Sequence, residues 1–119
     1  MRVPNQYENL ISMTTLDYIE QKYKTATLTE LSEILHLPMH VLSKMIKKTT
    51  GHNFKELLQR KRLNKSVELM CDTDLAVSDI IAAVGYENNS YFHRIFKERY
   101  HITPRAFREK NRQQPQVWL

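Results

Sequence analysis

With 119 residues, 41% of them hydrophobic and 26% charged, and only two glycines and four prolines, the chain has the make-up of one folded helical domain rather than of a disordered segment. No run of about 18 apolar residues occurs and the opening MRVPNQYENL lacks the apolar stretch of a secretion signal, so neither a membrane span nor export is expected. One cysteine, Cys71, excludes an internal disulfide and fits a reducing cytoplasm, and the net charge of +5 favours an anionic partner.

That charge is uneven along the chain. Residues 1–43 carry three Lys/Arg against five Asp/Glu, residues 44–65 eight against one, and residues 94–112 seven against two. A solvated helix face is the bland explanation of such runs. Their place on the second helices of a repeated pattern, described below, points instead to a polyanion.

In chain order, residues 1–13 show no periodic pattern and read as a tail or a linker remnant. A first helix is expected at about 14–24, with Leu16, Ile19 and Tyr23 on one face and Thr14-x-x-Asp17 as its cap. Thr27-Leu28-Thr29-Glu30 is a capping box that opens a second helix striped by Leu28, Leu31, Ile34 and Leu35. His36-Leu37-Pro38 stops it, and Pro38 suits the first position of the helix that follows. That third helix, at about 39–50, buries Leu42, Met45 and Ile46, exposes His40, Ser43, Lys44, Lys47 and Lys48, and ends at Gly51.

Asn53-x-x-Glu56 caps a helix over 53–71 that no Gly or Pro interrupts, with Phe54, Leu57, Leu58, Leu63, Val67 and Met70 as its apolar positions. At 1.5 Å per residue it spans roughly 28 Å, a stiff strut between the halves. Asp72-Thr73-Asp74 reads as its exit loop. Val77, Ile80, Ile81 and Val84 then fall at i, i+3, i+4 and i+7, Gly85 gives the turn, and Asn88 caps a helix in which Tyr91, Phe92, Ile95 and Phe96 repeat the spacing. Its other positions, Asn89, Ser90, His93, Arg94 and Lys97, can all donate hydrogen bonds. A closing helix is expected at about 104–112, then a tail, 113–119, whose Trp118 either packs back or meets a partner.

The two halves are copies of each other. Leu31, Leu35 and Leu37 precede Ile80, Val84 and Tyr86 by 49 residues, and Leu42, Ile46 and Lys47 precede Phe92, Phe96 and Lys97 by 50. Each copy is a helix, a tight turn and a second helix with a donor-rich outer face, the helix-turn-helix pattern. A B-DNA major groove admits one such helix, and Arg or Lys on guanine is its commonest specific contact. Lys44 and Arg94 are therefore the expected base readers, Lys47, Lys48 and Lys97 the expected phosphate contacts, and the helix starts near Thr27 and Thr103 further phosphate donors. The aromatic stripe Tyr91, Phe92, Phe96 and Phe107 has the spacing of a core rather than of a base-stacking platform. His36 and His40 are four apart but straddle Pro38 with no third ligand, so no metal or other cofactor is expected. Cys71 lies near a helix C-terminus, where the dipole disfavours a thiolate, and reads as structural; no phosphate-cradling glycine loop or nucleophile triad is legible, and no catalysis is expected.

At these residues the sequence resembles a family. Apolar-Ala-x-x-Val-Gly-aromatic, Ser-Tyr-Phe-x-Arg-x-Phe-Lys and Thr-Pro-x-x-Phe-Arg, with Arg62-Leu63-x-x-Ser66-x-x-Leu69-Met70 before them, are similar to the DNA-binding domain of the AraC/XylS transcription regulators over roughly residues 15–110. Ser66 stands where Ala is commoner, and His101 where a small residue, often Gly, is usual. The resemblance implies an all-α fold of about seven helices: two helix-turn-helix units (about 27–51 and 76–100) joined by the long linker helix, within a domain over 14–112. It also implies that His40, Ser43, Asn89, Ser90 and His93 face the groove beside Lys44 and Arg94. Double-stranded DNA is then the partner, read by two unlike helices in successive major grooves as an asymmetric site. Contact with RNA polymerase, as an activator, and an effector-binding domain in a longer parent chain are further implications, and the chain is either a stand-alone regulator or a fragment. Two rivals stand beside this reading, a helical protein-interaction module without DNA affinity and a DNA-modifying enzyme that requires a reactive Cys71.

Overall fold

The computed structural model describes residues 3–113, with the backbone alone at Gln113; Trp118 and the rest of the tail lie outside the described residues. Seven helices follow one another: α1 (Gln6–Lys22), α2 (Leu28–Leu35), α3 (Met39–Thr50), α4 (Phe54–Asp72), α5 (Val77–Ala83), α6 (Asn89–Tyr100) and α7 (Pro104–Gln113). They form two compact units that divide within α4, between Arg62 and Leu63. The all-α expectation holds.

In the first unit, α1 begins at Gln6, eight residues before the expected start near Thr14. The reason is a capping box. The Glu8 N–H donates to Asn5 Oδ1 at 2.8 Å, and the Asn5 N–H donates to Glu8 Oε1 at 3.1 Å. Thr14 and Asp17 thus sit in mid-helix and cap nothing. The buried face is Ile11, Thr15, Tyr18 and Ile19, while Leu16, expected inside, is 45% exposed. Tyr18 takes its place because its hydroxyl has work at the buried edge: it receives the Thr27 N–H at 3.0 Å and donates to Glu30 at 2.6 Å. Burial first, then that carboxylate, push the Tyr18 phenol above its ordinary range. Glu30 therefore supplies only half of the expected capping box at Thr27; its N–H reaches Thr27 Oγ1, but its carboxylate goes to Tyr18.

Around this seam Ile11, Ile19, Ala26, Leu31, Leu42, Ile46 and Phe54 close a core, with Leu28, Leu35, Leu37 and Met45 half inside it. Leu42 and Ile46 are fully buried, which stabilises α3 by about 1.5–3 kcal/mol each. Ile34, expected on the buried stripe, is 54% exposed. Pro38 stands one place before α3, as its N-cap, rather than at its first position.

In the second unit Leu63, Met70, Ile80, Ile81, Val84, Phe92, Ile95 and Phe96 are buried. Phe96 meets the rings of Phe92, Tyr100 and Phe107 at 5.7, 4.7 and 6.1 Å, tilted or edge-on, so Phe92 and Phe96 are core and Phe107 packs half-buried against Phe96, while Tyr91 of the same stripe is only half-buried. α4 starts at Phe54 behind the Asn53–Glu56 box, in which the Glu56 N–H reaches Asn53 Oδ1 at 2.8 Å. Hydrogen bonds from His52 and then from the Asn53 backbone hold the Glu56 carboxyl below its usual range. Asp72, expected in the exit loop, is the last residue of α4.

The positive-φ positions of the described chain are four, and they are the stops of the two repeats: His36 (54°) and Gly51 (79°) in one unit, Gly85 (107°) and His101 (62°) in the other. Each helix-turn-helix thus uses one glycine and one histidine, in opposite order. After α2, Leu37 N–H reaches Ser32 O, and after α5, Tyr86 N–H reaches Ile81 O, both at 3.1 Å, the backbone signature of a left-handed helix stop. A left-handed histidine carries a steric cost that glycine avoids. The variant His101→Gly is therefore expected to unfold at higher urea, by roughly 0.5–1 kcal/mol; an unchanged or lower midpoint would show that the histidine side chain compensates for its backbone.

Candidate nucleic-acid interface

The second helix of each helix-turn-helix, α3 in one and α6 in the other, is twelve residues long and amphipathic. With Leu42 and Ile46 buried, α3 turns His40, Lys44, Lys47 and Lys48 outward and leaves Ser43 half-buried. With Phe92, Ile95 and Phe96 buried, α6 turns Asn89, Ser90, His93, Arg94 and Lys97 outward. The repeat holds in register: Leu42 and Phe92, then Ile46 and Phe96, are all fully buried, and Lys47 and Lys97 are both exposed. Equivalent scaffolds therefore present unlike rows of donors.

Arg94 is held before any partner arrives. Its guanidinium lies 5.1 Å from the centre of the Tyr91 ring and donates to Glu98 at 3.1 Å, while Tyr91 itself rests 5.8 Å from the Tyr86 ring. The ion pair is exposed on both sides and adds little stability, but stack and bridge together limit where the fork can point. Asn88 caps α6 through the Tyr91 N–H at 2.9 Å, which fixes Asn89 and Ser90 on the first turn. On α3, Lys47 Nζ donates to the Gly51 carbonyl at 3.1 Å and closes the helix end. Lys48 reaches the buried Glu8 of α1 at 2.6 Å, an internal commitment for a residue expected on phosphate.

The helix starts expected to face phosphate are also occupied. Thr27 uses its hydroxyl on Glu30 and its N–H on Tyr18; Thr103 uses its hydroxyl on the Ala106 N–H at 3.1 Å. Other first-turn N–H groups remain for an anion there.

Local pattern could not reveal two arginines that behave alike. Arg62 donates to the Tyr23 carbonyl at 2.7 Å and the Lys24 carbonyl at 3.3 Å, closing the end of α1. Arg108, 9% exposed, donates to the carbonyls of Met70, Thr73 and Leu75 and so closes the end of α4. Each helix-turn-helix is thus bracketed by an arginine from the following helix gripping the end of the preceding one. Lys61 with Glu20, Lys65 with Glu68 and Arg112 with Asp74 form further ion pairs, so much of the basic charge outside α3 and α6 is engaged internally. Among the described residues no group of three or more His, Cys, Asp and Glu side chains comes together. Cys71 is exposed, and loss of solvent around its thiol, then Asp72, push it above the ordinary cysteine range.

A family model described as a helix-turn-helix domain matches residues 31–110. Regulatory protein PocR of Salmonella typhimurium is 30% identical over 83 residues, 70% of this chain and 27% of PocR. The C-terminal domain of the two-component response regulator yesN from Fusobacterium nucleatum is 37% identical, with a TM-score of 0.75 over 87% of this chain and 99% of that one. A transcriptional regulator of Chromobacterium violaceum with an AraC-type DNA-binding domain shares the fold, at a TM-score of 0.81 and 19% identity over 94% and 100% of the two chains. The chain spans between 14% and 35% of the length of the first curated relatives it matches.

Proposed function

Because this chain belongs to the AraC-type helix-turn-helix family of transcription regulators, we propose that it reads double-stranded DNA with α3 and α6, each helix in a major groove. The repeated register carries this reading: two scaffolds alike at buried positions and unlike at exposed ones suit two different stretches of bases. Lys44 and Arg94 read guanine edges; His40, Ser43, Asn89, Ser90 and His93 stand at the neighbouring edges. Lys47 and Lys97 hold phosphates, with backbone donors near Thr27 and Thr103. The two rows differ, so the site is asymmetric and its halves lie in successive grooves. Activation through RNA polymerase, and control by an effector-binding domain of a longer parent chain in the cytoplasm, rest on family membership alone. Catalysis has no part in this reading, and the raised thiol of Cys71 supports that.

Selection from random duplex DNA, followed by titration at two salt concentrations, tests it. Two unlike clusters of specified bases about one helical turn apart are expected. Arg94→Ala should weaken the selected site about 5- to 150-fold, the worth of one bidentate base contact, and relax preference in one cluster only. One enriched cluster would leave a single reading helix. No enrichment, even at low salt, would overturn the DNA reading and put the protein-interaction module in its place.

A further inference from the structure

Glu8 lies in the first turn of α1 and yet is only 7% exposed. Carboxylates go under the surface when they are paired, and this one is used at both oxygens. Oε1 accepts the Asn5 N–H at 3.1 Å and completes the cap of α1; Oε2 accepts Lys48 Nζ at 2.6 Å, 40 residues further on. Lys48 is on the last turn of the first recognition helix, one third exposed, and His40, Lys44 and Lys48 follow each other at i, i+4, i+8. These three line one shallow depression together with Glu8, Val41 and Met45. The carboxylate thus stands at the edge of the row that is read as facing DNA. Lys47, next to it on the same turn, has no such tether to α1 and is exposed.

Resting on the DNA reading above, we propose that Glu8 is a positioning residue that withholds Lys48 from the DNA backbone. A pair at 2.6 Å with one member buried is screened by salt far less than an exposed one. Swinging Lys48 out to a phosphate would strip a buried carboxylate of a close cation, which opposes the gain at the phosphate. The first unit therefore grips DNA with one cation fewer than its lysines would provide, and the start of α1 sets that number.

Salt dependence separates this role from a merely structural one. Glu8→Gln removes the charge and keeps an acceptor for the α1 cap, since glutamine also serves in a capping box. The selected duplex should bind this variant more tightly, with a log–log salt slope steeper by about 0.9; its advantage over the parent then shrinks about 3.5-fold between roughly 50 and 200 mM salt. Lys48→Ala in the parent should leave the slope unchanged, and on the Glu8→Gln background it should erase the gain. A parental slope in Glu8→Gln, a gain that survives loss of Lys48, or a slope flattened by about 0.9 in Lys48→Ala alone would each overturn the proposal. If Glu8→Gln loses its helical circular dichroism, Lys48→Ala alone decides: an unchanged slope supports the tether and a flattened one overturns it. Failure of the parent itself to bind any duplex would bring down the DNA reading, a result distinct from a binding parent whose slope ignores Glu8.

Discussion

The double variant Lys44→Ala, Arg94→Ala is expected to bind the selected duplex little better than a scrambled one. On the proposed reading each side chain contacts one guanine edge, worth about 1–3 kcal/mol, so together they account for about 2–6 kcal/mol, or roughly 30- to 20,000-fold in affinity. The losses should add, because the two residues lie in different compact units and have no partner in common among the contacts described. Folding should be untouched, since both side chains are exposed on helices whose buried faces remain intact. Fluorescence anisotropy against matched and scrambled duplexes measures the ratio. The salt slope should hardly move, because base contacts release few counterions. A slope lower by about two with discrimination preserved would reassign both residues to phosphate.

Phe96→Ala should have the largest effect on stability, about 3–5 kcal/mol. The ring is fully buried and touches three other aromatic rings, so truncation leaves a cavity that stiff neighbours fill poorly. Against the 5–15 kcal/mol typical of a small domain, that is a large share. Thermal melts should show a midpoint lower by at least about 10 °C. A loss under about 1 kcal/mol would mean that the second unit repacks around α6 and has no fixed aromatic core.

Much of the domain was legible because its signals are local. Capping side chains at Thr27, Asn53 and Asn88, the i, i+3, i+4 stripes and the 49- and 50-residue offsets each need only a short window of sequence. The start of α1 escapes a periodicity reading because its first turns break amphipathic order: Glu8 is inside, while Tyr7, Leu10 and Met13 are outside. Asn5-x-x-Glu8 is the same capping pattern that marks α4, and it was the signal available. The contacts that local pattern does not carry are long-range by nature. Arg62 finds α1 from 38 and 39 residues away, Lys48 finds Glu8 across 40, and Arg108 finds Met70 across 38. A composition count assigns all three to solvent or to a polyanion, since nothing near them in sequence names their partners.

The matched register of α3 and α6 also bears on how this domain can be rewritten. Positions 40, 43 and 44 in one copy, and 89, 90, 93 and 94 in the other, stand on fixed platforms of Leu42 and Ile46 or Phe92 and Phe96. Side chains can be exchanged on one row without disturbing its own platform, and each row belongs to a different unit. On the proposed reading the domain is a two-syllable reader, and a library that varies one syllable at a time searches the vocabulary of the whole as a product of two small sets.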